Sequence, residues 1–180
     1  MITLERAKKW DIPRVWLLYQ RAFPAGERKP FSIILSMAKE GRTDLWVIRR
    51  GGRFAGLAST VNSPDMVLLD YFAVKKSLRG QGVGSASMER ILEQYAPVGV
   101  LVEIESTRIP SNNPREREKR KRFYVNCGME PLGTEVELFG IRMELLGCRC
   151  CPDFGEYKDF YVRYYTPRAE KYVQPVKEEP

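Results

Sequence analysis

The segment Arg79-Gly80-Gln81-Gly82-Val83-Gly84 carries the sharpest chemical pattern in the chain. Three glycines at alternate positions let a backbone approach a ligand without Cβ obstruction. With a helix starting behind them, their N–H groups converge where the helix dipole favours negative charge. Arg79 adds a cation, and the set reads as a pyrophosphate cradle. Two common phosphate loops do not fit it. A P-loop needs Lys after its last glycine, and the dinucleotide fingerprint needs Gly or Ala where Ser85 stands, counting from Gly80. Proton chemistry would fall to other groups. Glu103 and Glu105 lie two apart in the apolar run LVEIE, so as strand residues they share one face. Two carboxylates so placed can raise one pKa and attract a cationic amine. Asp70, within LLDYF, competes for the same role, and each of the three also reads as a structural ion-pair partner. The chain has no histidine among its 180 residues. That excludes Ser-His-Asp and Cys-His nucleophile systems and any His-ligated metal, and no metal is expected.

Positioning these groups calls for a mixed sheet with helices on it. Ile2 to Arg6 alternates as an opening strand. Asp11, with Pro13 behind it, can cap a helix that places Ile12, Val15, Trp16, Tyr19 and Phe23 at helical spacing and stops at Pro24. A second helix spans Pro30 to Glu40, with Gly41 as terminator. Leu45 to Arg50 and Phe54 to Val61 flank Gly51-Gly52, a hairpin signal. Met66 to Val74 is nearly continuously apolar, like a central strand buried on both faces. After Gly84 the period turns helical through Met88, Ile91, Leu92 and Tyr95, and Val98 to Ile104 is another buried strand. Asn113, as cap, and Pro114 open a helix that runs to about Cys127-Gly128. Two late strands are expected, Glu135 to Leu146 and Tyr157 to Tyr165. Pro167 to Pro180 is rich in proline and charge and reads as a flexible tail. The order β-α-α-β-β-β-α-β-α-β-β describes an α/β (α+β) domain over residues 1–166, with the tail at 167–180. Phe23, Phe31, Trp46 and Phe139 are candidates for lining an acceptor pocket, although core packing explains them more simply.

Charge and cysteines narrow the partners. The net charge is +7, from 30 Lys and Arg against 23 Asp and Glu. Arg115 to Arg122 alone carries six basic and two acidic residues. Glu116–Arg120 and Glu118–Arg122 sit at the favourable i, i+4 spacing, so this run reads as a salt-bridged helix face, and nucleic acid is not an expected partner. Cys127, Cys148, Cys150 and Cys151 lack the separated C-x2-C pairs of a zinc site, and the role of the last three is open. The N-terminus lacks the apolar core of a signal peptide, and no run approaches the roughly 20 apolar residues of a membrane span. A soluble cytoplasmic protein with free thiols and no membrane partner is the expectation.

Arg79, Gly82 and Gly84 fill the pattern [R/Q]-x-x-G-x-[G/A], and Phe72-Ala73-Val74 ends five residues ahead of it. Downstream, Arg120-x-x-Phe123-Tyr124-x-x-x-Gly128 closes the basic helix. Both pieces, in this order and on these elements, resemble the GNAT superfamily of N-acetyltransferases, and the element order matches over roughly residues 1–165. The resemblance implies a mixed, mostly antiparallel twisted sheet of about seven strands, flanked by about four helices and splayed at two central parallel strands. It implies acetyl-CoA as acyl donor. The pyrophosphate would lie on the amides of Arg79, Gly80, Gln81, Gly82, Val83, Gly84 and Ser85, and the pantetheine arm would pair with Phe72, Ala73 and Val74. A primary amine would attack the thioester directly, with the N–H near Val74 polarising the carbonyl. Tyr124 matches the family's general acid, which a core aromatic beside Phe123 would also explain. The base would be Glu103, Glu105 or water, and Arg120 is assigned to the CoA 3′-phosphate. Lys76 and Met129 depart from the family pattern, and Asn113 lies too far from Tyr124 to carry a cofactor role. The expectation is an acetyl-CoA-dependent N-acetyltransferase for a small-molecule or peptide amine of cationic character, with a homodimer compatible. The alternative is a non-catalytic acyl-CoA-binding module of the same fold.

Overall fold

The computed structural model describes residues 1–176. The chain packs into two compact units, one of residues 1–62 and 68–95, the other of residues 63–67 and those from 96 onward.

The first unit contains β1 (Ile2–Arg6), α1 (Ile12–Ala22), α2 (Phe31–Lys39), β2 (Thr43–Arg50), β3 (Arg53–Asn62), β4 (Val67–Val74) and α3 (Val83–Gln94). Its strands neighbour one another in chain order, with β1–β2 and β2–β3 antiparallel. Gly51 and Gly52 both have positive φ, 54° and 76°, as a tight hairpin turn between twisted strands requires. Alternation in β2 sorts the core. Leu45 and Val47 pack with Val15, Tyr19 and Ile34 of α1 and α2, whereas Ile48 packs with Ala55, Val74 and Val83. Asp11 does start α1, but its carboxylate caps no helical N–H. It accepts instead from the Lys8 N–H at 3.1 Å and from Arg49 Nη2 at 2.8 Å, because a buried carboxylate gains more from a guanidinium than from a neutral amide.

The second unit contains β5 (Val100–Glu105), α4 (Pro114–Asn126), β6 (Glu130–Leu138), β7 (Ile141–Cys148), α5 (Phe154–Phe160) and β8 (Val173–Pro175). The strand order is β5-β7-β6-β8, and all three pairings are antiparallel. The α/β class and the mostly antiparallel pairing stand, with eight strands and five α-helices among the described residues rather than about seven and four. Three differences account for the counts. The segment Glu135 to Leu146 folds back at Phe139-Gly140, where both residues have positive φ, and belongs to two strands. Tyr157 to Tyr165 is helical: α5 continues into a wider turn over Tyr161–Tyr165. Asp153 accepts from the Glu156 N–H at 2.9 Å while Glu156 accepts from the Asp153 N–H at 2.9 Å, a capping box that nucleates the helix. Tyr157, Phe160, Tyr161 and Tyr164 then follow helical, not strand, spacing. Residues 167–175, expected in the tail, hold a 3-10 turn and β8, which pairs Val173 with Leu138.

Buried tyrosines predict an alkaline limit to stability. Burial pushes the Tyr71 and Tyr95 phenols well above their ordinary value of 10.0, with Asp70 and Asp44 adding to the rise. Burial and Glu103 do the same to Tyr157. Above about pH 10 the folded chain therefore retains protons that the unfolded chain releases, so stability is complete below that pH and falls as pH rises through the folded values. Melting temperatures should be flat with respect to these groups from about pH 8 to 10 and decline beyond. An unchanged melting temperature at about pH 11 would contradict this assignment.

Candidate active site

The cradle is built from the end of β4 and the start of α3, both in the first unit. After β4 the chain makes one 3-10 turn, Lys76–Leu78, and then runs extended through Arg79. Arg79 Nε donates to the Val74 carbonyl at 3.2 Å, which ties the loop back to the strand. Gln81 is held from two sides: its Nε2 donates to the Ser77 carbonyl at 2.9 Å, and its Oε1 accepts from Arg50 Nη1 at 2.6 Å. Gly80 and Gly82 have φ of 73° and 74°, a region that L side chains rarely adopt. A Cβ at either would meet nothing within 4 Å, so open space lies over the turn. Gly82 is the N-cap of α3 and offers no side chain to its first turn, in which Ala86 makes the hydrogen bond back to Gly82. The N–H groups of Val83, Gly84 and Ser85 thus have no intrahelical acceptor. Positive-φ glycines, amides without an intrahelical acceptor and Arg79 thus lie together at the start of α3, groups that could hold a pyrophosphate.

Of the strand residues assigned to the pantetheine arm, Ala73 and Val74 are buried and Phe72 half-buried. Gly56 on β3 makes room for them. A Cβ there would lie 2.4 Å from the Ala73 carbonyl oxygen and 3.3 Å from Val74 Cα, both backbone atoms that cannot rotate away. Gly56→Ala should therefore displace this end of β4, lowering stability by about 1–3 kcal/mol. Thermal melts and CoA titration together check it; unchanged values in both would remove the close approach as a constraint.

The candidate proton-handling residues of β5 and α4 belong to the second unit. Tyr124 is half-buried on the last turns of α4, edge-on to Phe123 with ring centroids 5.2 Å apart. Burial pushes its phenol up to about 12, opposed by the charge of Arg120 and assisted by Cys127. It stays protonated throughout the neutral range, as a proton donor must. Glu103 and Glu105 are not a carboxylate pair open to a ligand. Glu103 accepts from Tyr157 Oη at 2.6 Å and from Tyr161 Oη at 2.7 Å. Glu105 faces Arg117 Nη2 at 2.7 Å and Arg120 Nη1 at 3.5 Å. Glu105 ends its strand and can turn to α4, whereas Glu103 is met by the tyrosines. Arg117 and Arg120 prefer this half-buried carboxylate to the solvated glutamates on their own helix. Among the described residues, the expected pairs Glu116–Arg120 and Glu118–Arg122 do not form. Lys121 likewise pairs with the buried Glu144. Asn113 opens α4 without capping it, its Oδ1 accepting from Arg117 Nε at 3.0 Å.

Asp70 lies in the first unit and pairs with Lys29 Nζ at 2.7 Å. Phe23 and Phe31 pack around Tyr19, and Trp46 is buried with its Nε1 donating to Tyr95 Oη at 2.9 Å. Phe139 is exposed and stacked on Tyr172. Tyr157 and Tyr161 are site candidates that the reading of 157–165 as a strand concealed; Asp153-x-x-Glu156 followed by aromatics four apart was the signal for them. None of the four cysteines is in a disulfide, and burial pushes the Cys150 thiol up to about 11. Among the described residues, no group of three Cys, Asp or Glu could hold a metal ion, and no helix is long and apolar enough to cross a membrane.

Comparison with known proteins places this geometry. A sequence model of the acetyltransferase (GNAT) family matches residues 5–129. No curated protein sequence matches the chain. A solved structure of a GNAT-family protein from Bacteroides thetaiotaomicron superposes with a TM-score of 0.76 at 15% identity, covering 91% of this chain and 98% of that one. The ribosomal-protein-S18-alanine N-acetyltransferase of Escherichia coli gives 0.62 at 19% identity, over 82% and 92% of the two chains. A Bacillus subtilis acetyltransferase in complex with CoA gives 0.60 at 17% identity, over 82% and 97%. At these identities the superpositions show a shared fold.

Proposed function

Because the chain belongs to the acetyltransferase (GNAT) family, we propose that it is an acetyl-CoA-dependent N-acetyltransferase that transfers the acetyl group directly to a primary amine. The observation that carries this reading is the open turn at Gly80 and Gly82, which feeds the orphan amides of α3 beside Arg79. Acetyl-CoA supplies an activated acetyl group as a thioester, and the cradle and the end of β4 would hold its pyrophosphate and pantetheine arm. The attacking amine nitrogen forms a bond to the acyl carbon as the carbon–sulfur bond breaks. Tyr124 Oη gives a proton to the departing sulfur. The proton lost by the amine passes to a carboxylate or to water. Glu103 serves this purpose with its two tyrosine donors, which hold the carboxylate in one orientation.

The expectation of a cationic acceptor rested on Glu103 and Glu105 as a free acidic face. Each is engaged by neighbours, so the proposal is confined to a primary amine, on a small molecule or a peptide. The E. coli relative is an N-acetyltransferase for a ribosomal-protein alanine. A structural neighbour, a chimera that includes Vibrio cholerae sequence, is a spermidine N-acetyltransferase. Both acceptor types belong in the panel. Release of CoA thiol should depend on an added amine from a set of polyamines, aminoglycosides and peptide N-termini. Acetyl-CoA binding with no release from any of them would replace the enzyme with the non-catalytic module.

A further inference from the structure

Six basic residues that lack a carboxylate partner gather in one cleft, and it is not on α4. Within the first unit a cleft of about 1100 Å³ lies between α1, the β2–β3 hairpin and the segment that follows β4. Arg14 and Arg21 line it from α1, Arg53 from the hairpin, and Lys75, Lys76 and Arg79 from the third side. Among the described residues no Asp or Glu lines it, and none of these six forms an ion pair. Arg49, also in the wall, is the exception, held by Glu5 and Asp11 at 2.8 Å each. Six uncompensated cations in one cleft compare with a net charge of +7 for the whole chain. By contrast, the basic run of α4 sends Arg117, Arg120 and Lys121 into ion pairs.

Cations held around a concave surface repel one another, and the low-dielectric walls focus their field on whatever enters. An anion with several charges relieves that repulsion, and guanidinium forks match phosphate oxygens two at a time. The cleft is not polar throughout. Leu17, Leu18, Ala22 and Phe54 give it an apolar wall, the composition of a site for a ligand with an unpolar body and a charged end. Only Arg79 is shared with the pyrophosphate cradle. Arg14, Arg21 and Arg53 come from elements that contribute nothing to it.

We propose that this cleft binds a second small molecule, one that carries two or more phosphate groups on an apolar ring system, alongside the acyl donor rather than in its place. The proposal does not depend on the acyl-transfer reading, and CoA binding measured in the same samples separates the two. Tripolyphosphate and ATP serve as probes in calorimetric titrations at low ionic strength. Both should bind to protein already saturated with CoA, ATP the more tightly because of its ring. The triple variant Arg14→Gln/Arg21→Gln/Arg53→Gln should weaken both by about tenfold or more while leaving CoA affinity within about twofold. Lys75→Gln/Lys76→Gln, from the opposite wall, should act in the same direction. All five side chains are exposed, so unchanged melting temperatures are expected and verify the fold. Failure of both probes to bind overturns the proposal, as does equal affinity in the variants. Displacement of the probes in step with CoA occupancy would place them in the donor cradle and overturn it as well. ATP binding no tighter than tripolyphosphate would remove the apolar ring from the ligand class.

Discussion

Gly82→Asp should abolish CoA binding and leave a folded protein. The two halves of this expectation have separate causes. Gly82 sits at φ 74° and ψ −3°, in the left-handed region, where Asp is among the better tolerated side chains. A Cβ there meets nothing within 4 Å, so the fold loses only the strain of the conformation, on the order of 1 kcal/mol. The carboxylate, however, enters the anion site itself. It can accept from the amides at the start of α3, as an ordinary N-cap would, and so occupies the donors that a pyrophosphate needs. Loss of charge-assisted hydrogen bonds at about 1.5–3 kcal/mol each, with like-charge repulsion added, weakens CoA by at least about a hundredfold. Gly82→Ala separates the causes, since it carries the strain without the charge and should cost only a fewfold in affinity. Calorimetric titration with CoA, beside circular dichroism of each variant, measures both. Undiminished affinity in Gly82→Asp would remove the cradle from the donor site.

The turn at Gly80 and Gly82 and the start of α3 were legible in the sequence because they are local. Alternate glycines dictate the backbone of four or five consecutive residues, and a helix starting behind them fixes where their amides point. Boundaries written by proline, glycine and period, such as α1, α2, the β2–β3 hairpin and α4, were legible for the same reason. What the sequence concealed depends on partners brought from afar. Apolar and aromatic residues are common to both strands and helices, so Tyr157 to Tyr165 suits either; the capping box at Asp153 and Glu156 decides for the helix. The spacing of Glu103 and Glu105 put them on one face of β5, but side chains choose partners within reach, and tyrosines claim one and arginines the other. Charge misled in the same way. A contiguous run of Lys and Arg on α4 is conspicuous and half of it is ion-paired, while Arg14, Arg53 and Lys75 are dispersed in sequence and meet in one cleft.

Tyr124→Phe should lower kcat by about a hundredfold or more, the ordinary contribution of a positioned general acid, with little change in KM for acetyl-CoA. Phe keeps the ring that packs edge-on to Phe123, so the packing explanation for this residue predicts no such loss. The pH dependence gives the test a second dimension. A general acid works in its protonated form, and burial holds the Tyr124 phenol at about 12. The wild-type rate should therefore show no descending limb from this group between about pH 8 and 10, where an unburied tyrosine begins to ionise. A rising limb, as the amine or its base loses a proton, remains in both proteins because neither group is altered. The variant should thus run parallel to the wild type on the acidic side and about two orders of magnitude below it. If instead kcat is unchanged and only the melting temperature falls, Tyr124 is a packing residue. The departing thiolate must then take its proton from water.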